Sequence, residues 1–337
     1  MSTFHVVGVQ AVRTILDSGR PLIRDIVRAA YLQHYTGHTV NPDSYFLRFP
    51  DRPADRIIAL PARLSDDAGD DAGLKWIGSF PGNLGRGLPR ASAVVILNDM
   101  STGFPYACIE GSLISAARTA ASAAIAARHL HPSTQRQRLG VVGCGVIARA
   151  LLDFLAADGW HFDSVAAYDV DPVRAAAFTD HVGPAAVSGR CASVAEVVRR
   201  SELVVFTTTA VEPHVFAEDL FTARHTVLHL SLRDLAVGVV LRAQNIVDDI
   251  DHALKANTSL HRAEQAVGHR AFVSGVLAQV IAGALEPDPA RPRVFSPFGL
   301  GVLDLAVARH VYRQAIKNGL AQEIPGFFAP FSNEHGA

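Results

Sequence analysis

Along the first 110 residues, short apolar runs alternate with turn chemistry. Arg56–Leu60, Leu74–Ile77 and Ala93–Leu97 read as strands, and Phe80-Pro-Gly-Asn83 and Asp99–Pro105 as dense turns. This pattern predicts an α+β domain built on an antiparallel sheet. Ser112–Leu130 is a long Ala-rich helix with apolar positions on both sides, suited to bridging two domains. From Leu139 the pattern changes. A strand runs into a glycine turn, then come helix Ala148–Ala157, strand Ser164–Val170, helix Pro172–His181, helix Val194–Arg200 and strand Leu203–Thr208. Thr226–Leu230 and Asn245–Asp248 follow as further strands, and the Pro-rich Glu286–Arg293 as a surface loop. Such alternation predicts an α/β fold with a Rossmann-type doubly wound parallel sheet. Gly301–Lys317 then sets Leu303, Ala306, Val307, His310 and Val311 at helical spacing. If it returns to the first domain, that domain is discontinuous, with residues 1–125 and 300–337 around a central domain of 126–299.

The turn after Leu139 is the most informative stretch. Leu139-Gly-Val-Val-Gly-Cys-Gly-Val-Ile-Ala148 contains G-x-G-x-x-A between a predicted strand and helix. Gly143 and Gly145 leave room for a tight turn and the close approach of a pyrophosphate, and Ala148 lets the helix pack on the strand. Asp169 ends the next strand, roughly where an acidic side chain accepts the ribose hydroxyls of NAD. Its charge disfavours the 2′-phosphate of NADP; the nearby Arg174 reads as a solvated helix residue. Thr207 and Thr208, closing the strand Leu203–Thr208, complete the expected cofactor-binding set of Gly143, Gly145, Ala148 and Asp169.

Composition narrows the class. At 337 residues, 49% hydrophobic and 19% charged, the chain can bury about two domain cores. A formal net charge of −1 provides no general attraction to nucleic acid or acidic membranes. No basic segment followed by an apolar run opens the chain, and Arg118 interrupts the apolar stretch Leu113–Ala127. Three cysteines, Cys108, Cys144 and Cys191, fit a reducing cytoplasm better than a disulfide framework. The fifteen histidines include no H-E-x-x-H, and His225 and His229 flank a strand, so no catalytic metal is expected. Neither G-x-S-x-G nor a Walker loop is present.

Four polar residues stand in apolar surroundings: Arg48 in Tyr45-Phe-Leu-Arg-Phe, Lys75 in Gly73-Leu-Lys-Trp-Ile-Gly78, Arg118 on the Ala-rich helix, and Asp234 after the strand Thr226–Leu230. A buried cation calls for a partner, and a bound carboxylate can be that partner. Ligands of doubly wound sheets bind at the carboxyl ends of the strands, where Asp234 falls. Ordinary roles also fit: interdomain ion pairs for the arginines, a solvated strand end for Lys75, and a helix N-cap for Asp234.

Arg56-Ile-Ile-Ala-Leu-Pro, Gly73-Leu-Lys-Trp-Ile-Gly-Ser, Arg90-Ala-Ser-Ala-Val-Val-Ile-Leu-Asn-Asp and Ser112-Leu-Ile-Ser-Ala-Ala-Arg-Thr-Ala-Ala-Ser resemble the ornithine cyclodeaminase/mu-crystallin family. The similarity runs from about residue 40 to 317. It implies that Arg48 and Arg118 grip a substrate carboxylate, that Lys75 faces the reacting carbon, and that Asp234 is the acid/base at the amine. It also implies an NAD-using enzyme acting on a small amino-acid-derived molecule, assembled as a homodimer through the first domain. Asp55–Pro61 and Asn245-Ile-Val-Asp-Asp249 carry a narrower resemblance, to the branch that oxidises a secondary amine joining glutamate to a diaminopropionate unit. Family cyclodeaminases have glutamate where this chain has Ala59, and Pro-Gly-Lys where Leu235-Ala236-Val237 follows Asp234; both departures point away from ornithine cyclisation. The alternatives are a cyclodeaminase, a related amino- or imino-acid dehydrogenase, and a mu-crystallin-like protein that binds the cofactor without turnover. Lys75, Arg118 and Asp234 together argue against the last, because binding alone needs no proton shuttle.

Overall fold

The computed structural model describes residues 3–67 and 69–328, which form two compact units. The first draws on residues up to Gly19, Thr36–Ser115 and residues from Gly301 on; the second on Arg20–Tyr35 and Ala116–Leu300. These boundaries differ from the sequence-based ones at three places, the smallest being Leu300, which falls in the central unit. Residues 116–125 pack with the central unit, and so does the helix Arg20–Tyr35, which leaves its chain neighbours to do so.

In the first unit an eight-stranded sheet runs in the order Gln322–Ile324, Phe4–Val7, Pro105–Glu110, Ala91–Asp99, Gly69–Ser79, Arg52–Asp66, Thr39–Val40, with Tyr45–Phe49 also paired to Arg52–Asp66. All neighbours are antiparallel except Phe4–Val7 and Pro105–Glu110. The predicted strand centres are right, but the strands are longer than the apolar runs: Arg52–Asp66 continues into charged residues because pairing, not side-chain burial, sustains its ends. One face lies under the helix Gly301–Lys317, which packs on Arg52–Asp66, Gly69–Ser79 and Ala91–Asp99. Leu60, Leu64, Val95, Leu97, Ala107 and Ile109 are buried on that side. Gly73 makes the close approach possible, since a Cβ there would lie 2.5 Å from the Ile96 carbonyl oxygen and 2.7 Å from Leu305 Cδ1. The opposite face carries Tyr45, Ala59, Trp76 and Val94 in one cross-strand row, with Tyr45 68% and Trp76 40% exposed.

The second unit holds eight parallel strands in the order Val187–Arg190, Phe162–Tyr168, Gln137–Val142, Leu203–Phe206, Thr226–His229, Arg293–Phe295, Gln244–Val247, Val273–Val276. The central strands Leu203–Phe206 and Thr226–His229 are buried at every residue, as parallel strands covered on both faces must be. Helices Val146–Ala157, Pro172–Val182 and Val194–Arg199 follow their strands within a residue or two of the predicted positions. Asp171 caps the second of these by accepting the Val173 amide, and Ser193 the third by accepting that of Glu196. Arg293–Phe295, at the end of the expected surface loop, is instead a buried strand between two others. Tyr31, on the displaced helix Arg20–Tyr35, reaches the helix Ser112–Leu130 through a 2.5 Å hydrogen bond to Ser122.

Candidate active site

Gly143 follows the strand Gln137–Val142 with φ +88°, and a Cβ there would lie 2.8 Å from the Thr207 carbonyl and the Thr208 amide. Only glycine allows two strand ends to meet so closely. Gly145 caps the helix Val146–Ala157 with no side chain in the cap, and nothing would lie within 4 Å of a Cβ at that position. The helix N-terminus therefore has no capping side chain and open space beside Gly145, which suits the approach of a pyrophosphate. Ala148 is buried against the sheet. Asp169 stands just past Phe162–Tyr168, one carboxylate oxygen accepting the Cys144 amide at 2.8 Å and the other the Asp171 amide at 2.9 Å. Both oxygens keep lone pairs for a diol. The Thr207 hydroxyl bonds the Gly143 carbonyl, tying the two strand ends together. Burial, with the Asp169 charge adding to it, pushes the Cys144 thiol up to about 12, so it stays protonated in this loop. These features fit a dinucleotide, and Gly143, Gly145, Ala148, Asp169, Thr207 and Thr208 lie together at the carboxyl ends of three adjacent strands.

Asp234 lies at the same edge of the sheet, beyond Thr226–His229, and has no exposed surface. One carboxylate oxygen accepts the Thr208 hydroxyl and His214 Nε2 at 2.9 Å; the other accepts the Ser231 hydroxyl and His229 Nε2 at 3.1 Å. Burial alone would raise this carboxyl. Hydrogen bonds from His214, His229 and Ser231 and the His229 charge outweigh it, holding the group far below the usual carboxylate range. Leu232, between these partners, has φ +74°, a strained conformation for a branched side chain. His214 and His229 were not among the sequence-predicted site residues. His225 serves the fold instead, bonding the Thr222 amide and the Val198 carbonyl.

Arg118 is half-buried on Ser112–Leu130, and a Cβ on Gly299 would fall 2.8 Å from its Nη1. Asp248 holds that backbone in place, accepting the amides of Phe298 at 2.9 Å and Gly299 at 2.6 Å. The motif Asn245–Asp249 thus shapes the wall beside Arg118.

In the first unit Lys75 is 3% exposed and faces the covering helix, not solvent. Its ammonium bonds Asp304 at 2.7 Å and the Ser115 hydroxyl at 3.1 Å. A buried ion pair therefore replaces the solvated strand end that sequence patterning allowed. Arg48 lies on the same face of the sheet but is exposed, its guanidinium 5.0 Å from the Phe46 ring centre. The registers Arg48–Arg56–Ser79 and Leu60–Lys75 set the two cations four positions, roughly 13 Å, apart along the strands. Among the described residues no group of three His, Cys, Asp or Glu is arranged to hold a metal.

Residues 20–319 match the profile of the ornithine cyclodeaminase/mu-crystallin family. The chain belongs to that family. Two relatives are each 30% identical to this family member: the alanine dehydrogenase of Archaeoglobus fulgidus, covering 89% of this chain and 92% of its own, and the N-((2S)-2-amino-2-carboxyethyl)-L-glutamate dehydrogenase of Staphylococcus aureus, covering 78% and 80%. A solved archaeal alanine dehydrogenase dimer with bound NAD superposes with a TM-score of 0.85 at 26% identity, covering 96% of this chain and all of that one. The Rossmann-type expectation for this cyclodeaminase/mu-crystallin family chain is thereby met.

Proposed function

We propose that this protein is an NAD-dependent dehydrogenase that oxidises a carbon–nitrogen bond of an amino-acid-derived secondary amine. The substrate we favour is N-((2S)-2-amino-2-carboxyethyl)-L-glutamate, split with one water into 2-oxoglutarate and L-2,3-diaminopropionate. The observation that carries the reaction class is one sheet edge bearing both the dinucleotide cradle of Gly143, Gly145 and Asp169 and the saturated carboxylate of Asp234. Bound there, NAD would supply the hydride acceptor. Arg118, seated against Gly299, presents a fork that matches a substrate carboxylate. Holding that carboxylate fixes the carbon that loses hydride. The family resemblance assigns Lys75 to the reacting carbon, and Asp304 holds its ammonium in place. The substrate itself is supported by the motifs Asp55–Pro61 and Asn245–Asp249 and by the Staphylococcus aureus relative.

The alanine dehydrogenase relative is equally similar, so a simple amino-acid oxidation is the second reading. One assay separates them. NADH and 2-oxoglutarate formation are followed with the glutamate–diaminopropionate conjugate, alanine, proline and ornithine in parallel. Preferred turnover of the conjugate is the expected result; preferred turnover of alanine replaces the substrate, and NADH binding with no turnover replaces the enzyme with a binding protein. We further propose that the protein acts as a homodimer joined through the apolar outer face of the first unit's sheet.

A further inference from the structure

Asp234 is poorly suited to move a proton. Four donors surround its two oxygens, and it has no exposed surface. His229 is no better placed, with a 1% exposed side chain and its ring nitrogens engaged by Asp234 and by Ser296 at 3.0 Å. His214 differs from both. Its side chain is 36% exposed, and Nε2 lies 2.9 Å from the carboxylate, which accepts only, so this nitrogen carries the hydrogen. Nδ1 then keeps its lone pair and makes no hydrogen bond among the described residues. The backbone around it is pinned separately, the amides of His214 and Val215 both donating to the Asp234 carbonyl at 3.0 and 2.9 Å. Imidazole is also the side chain that most readily takes and gives a proton near neutral pH.

We propose that His214 carries the proton in the hydrolytic half of the reaction, and that Asp234 is a positioning residue that fixes its ring. This rests on the reading above that an amino-acid carbon is oxidised to an imine. The substrate ammonium gives one proton to solvent, and hydride leaves its α-carbon, so a protonated C=N remains. Water oxygen bonds that carbon, and the proton it loses goes to Nδ1. Nδ1 returns the proton to nitrogen; the C–N electrons leave with the amine, and the hydroxyl closes to C=O. The ring relays the hydroxyl proton to the departing amine, and His214 ends as it began. One water is consumed.

Two variants test this. His214→Gln keeps a donor for Asp234 but cannot accept a proton; His214→Ala leaves a space that free imidazole can fill. Both should lower steady-state kcat by roughly 10²-fold, the contribution of an acid/base group. NAD affinity by calorimetry should stay at the wild-type value in both, and so should the melting temperature of His214→Gln, which keeps the donor to Asp234. In a single turnover both should keep the first NADH equivalent while 2-oxoglutarate release slows. Imidazole should restore the Ala variant and not the Gln variant. Wild-type turnover in His214→Gln, or a loss in His214→Ala confined to NADH formation and untouched by imidazole, overturns the proposal. If wild type ignores the conjugate but oxidises alanine, the substrate reading has failed, and the same rescue is read on pyruvate release. Failure of wild type on both overturns both.

Discussion

Asp169 meets two backbone amides and still has lone pairs open, so one carboxylate orders the glycine turn and keeps acceptor capacity for the diol proposed to bind there. Asp169→Ala should weaken NAD by about 1–3 kcal/mol while leaving discrimination against NADP smaller than in wild type, as titration of both cofactors will read. Tighter binding of NADP than NAD to the wild type would remove Asp169 from this role. Its place beside the glycine turn was legible because strand, glycines and acid follow one another within about 30 residues. The partners of Asp234 were not, since His214 precedes it by 20 residues and its approach depends on a parallel bridge between Val215 and Leu235. Asp234 also predicts an acid response. Its folded-state value lies below the ordinary 3.8, so the unfolded chain takes up the proton first. The stability it contributes is complete near neutrality and is lost progressively from about pH 5 downward. Asp234→Asn should flatten the fall of the urea midpoint between about pH 5 and 3, and an unchanged slope would contradict the assignment.

Among elements, the helix Gly301–Lys317 shows how sequence pattern and packing divide the information. Its periodicity announced a helix, and its return to the first unit followed from the apolar stripe. That Asp304 on this helix neutralises Lys75 could not be read, because 229 residues separate them. Removing one partner leaves a buried charge, so Asp304→Ala should cost about 3–5 kcal/mol by denaturant unfolding, whereas Lys75→Met with Asp304→Leu should recover much of it. Equal losses in the single and double variants would mean that the pair is not the source. Gly73→Val is a second check on the same contact. It forces a side chain between the Ile96 carbonyl and Leu305, with an expected loss of about 1–3 kcal/mol. The helix Arg20–Tyr35 escaped notice for a different reason: Ile23, Val27, Ala30 and Tyr31 form a helical stripe, but five charged or histidine side chains break up the run around them.

For the whole molecule, the row Tyr45, Ala59, Trp76 and Val94 leaves a large apolar face on an eight-stranded sheet. In the homodimer proposed above, isologous pairing of this face is the simplest way to cover its exposed aromatic area. Trp76→Glu should shift sedimentation from dimer to monomer at micromolar concentration; a wild-type monomer would reject the pairing. No helix among the described residues is long and apolar enough to cross a membrane. The division of the chain also imposes an order on synthesis. The polypeptide passes between the units at residues 19–20, 35–36, 115–116 and 300–301. Everything the nucleotide-binding unit needs has left the ribosome once Leu300 has, so that unit can close first. The N-terminal sheet, made earlier, must wait with its apolar side bare until Gly301–Lys317 emerges to cover it. The sheet made before the nucleotide-binding unit is therefore completed after it, and a chaperone acting on this protein would have the most to do there.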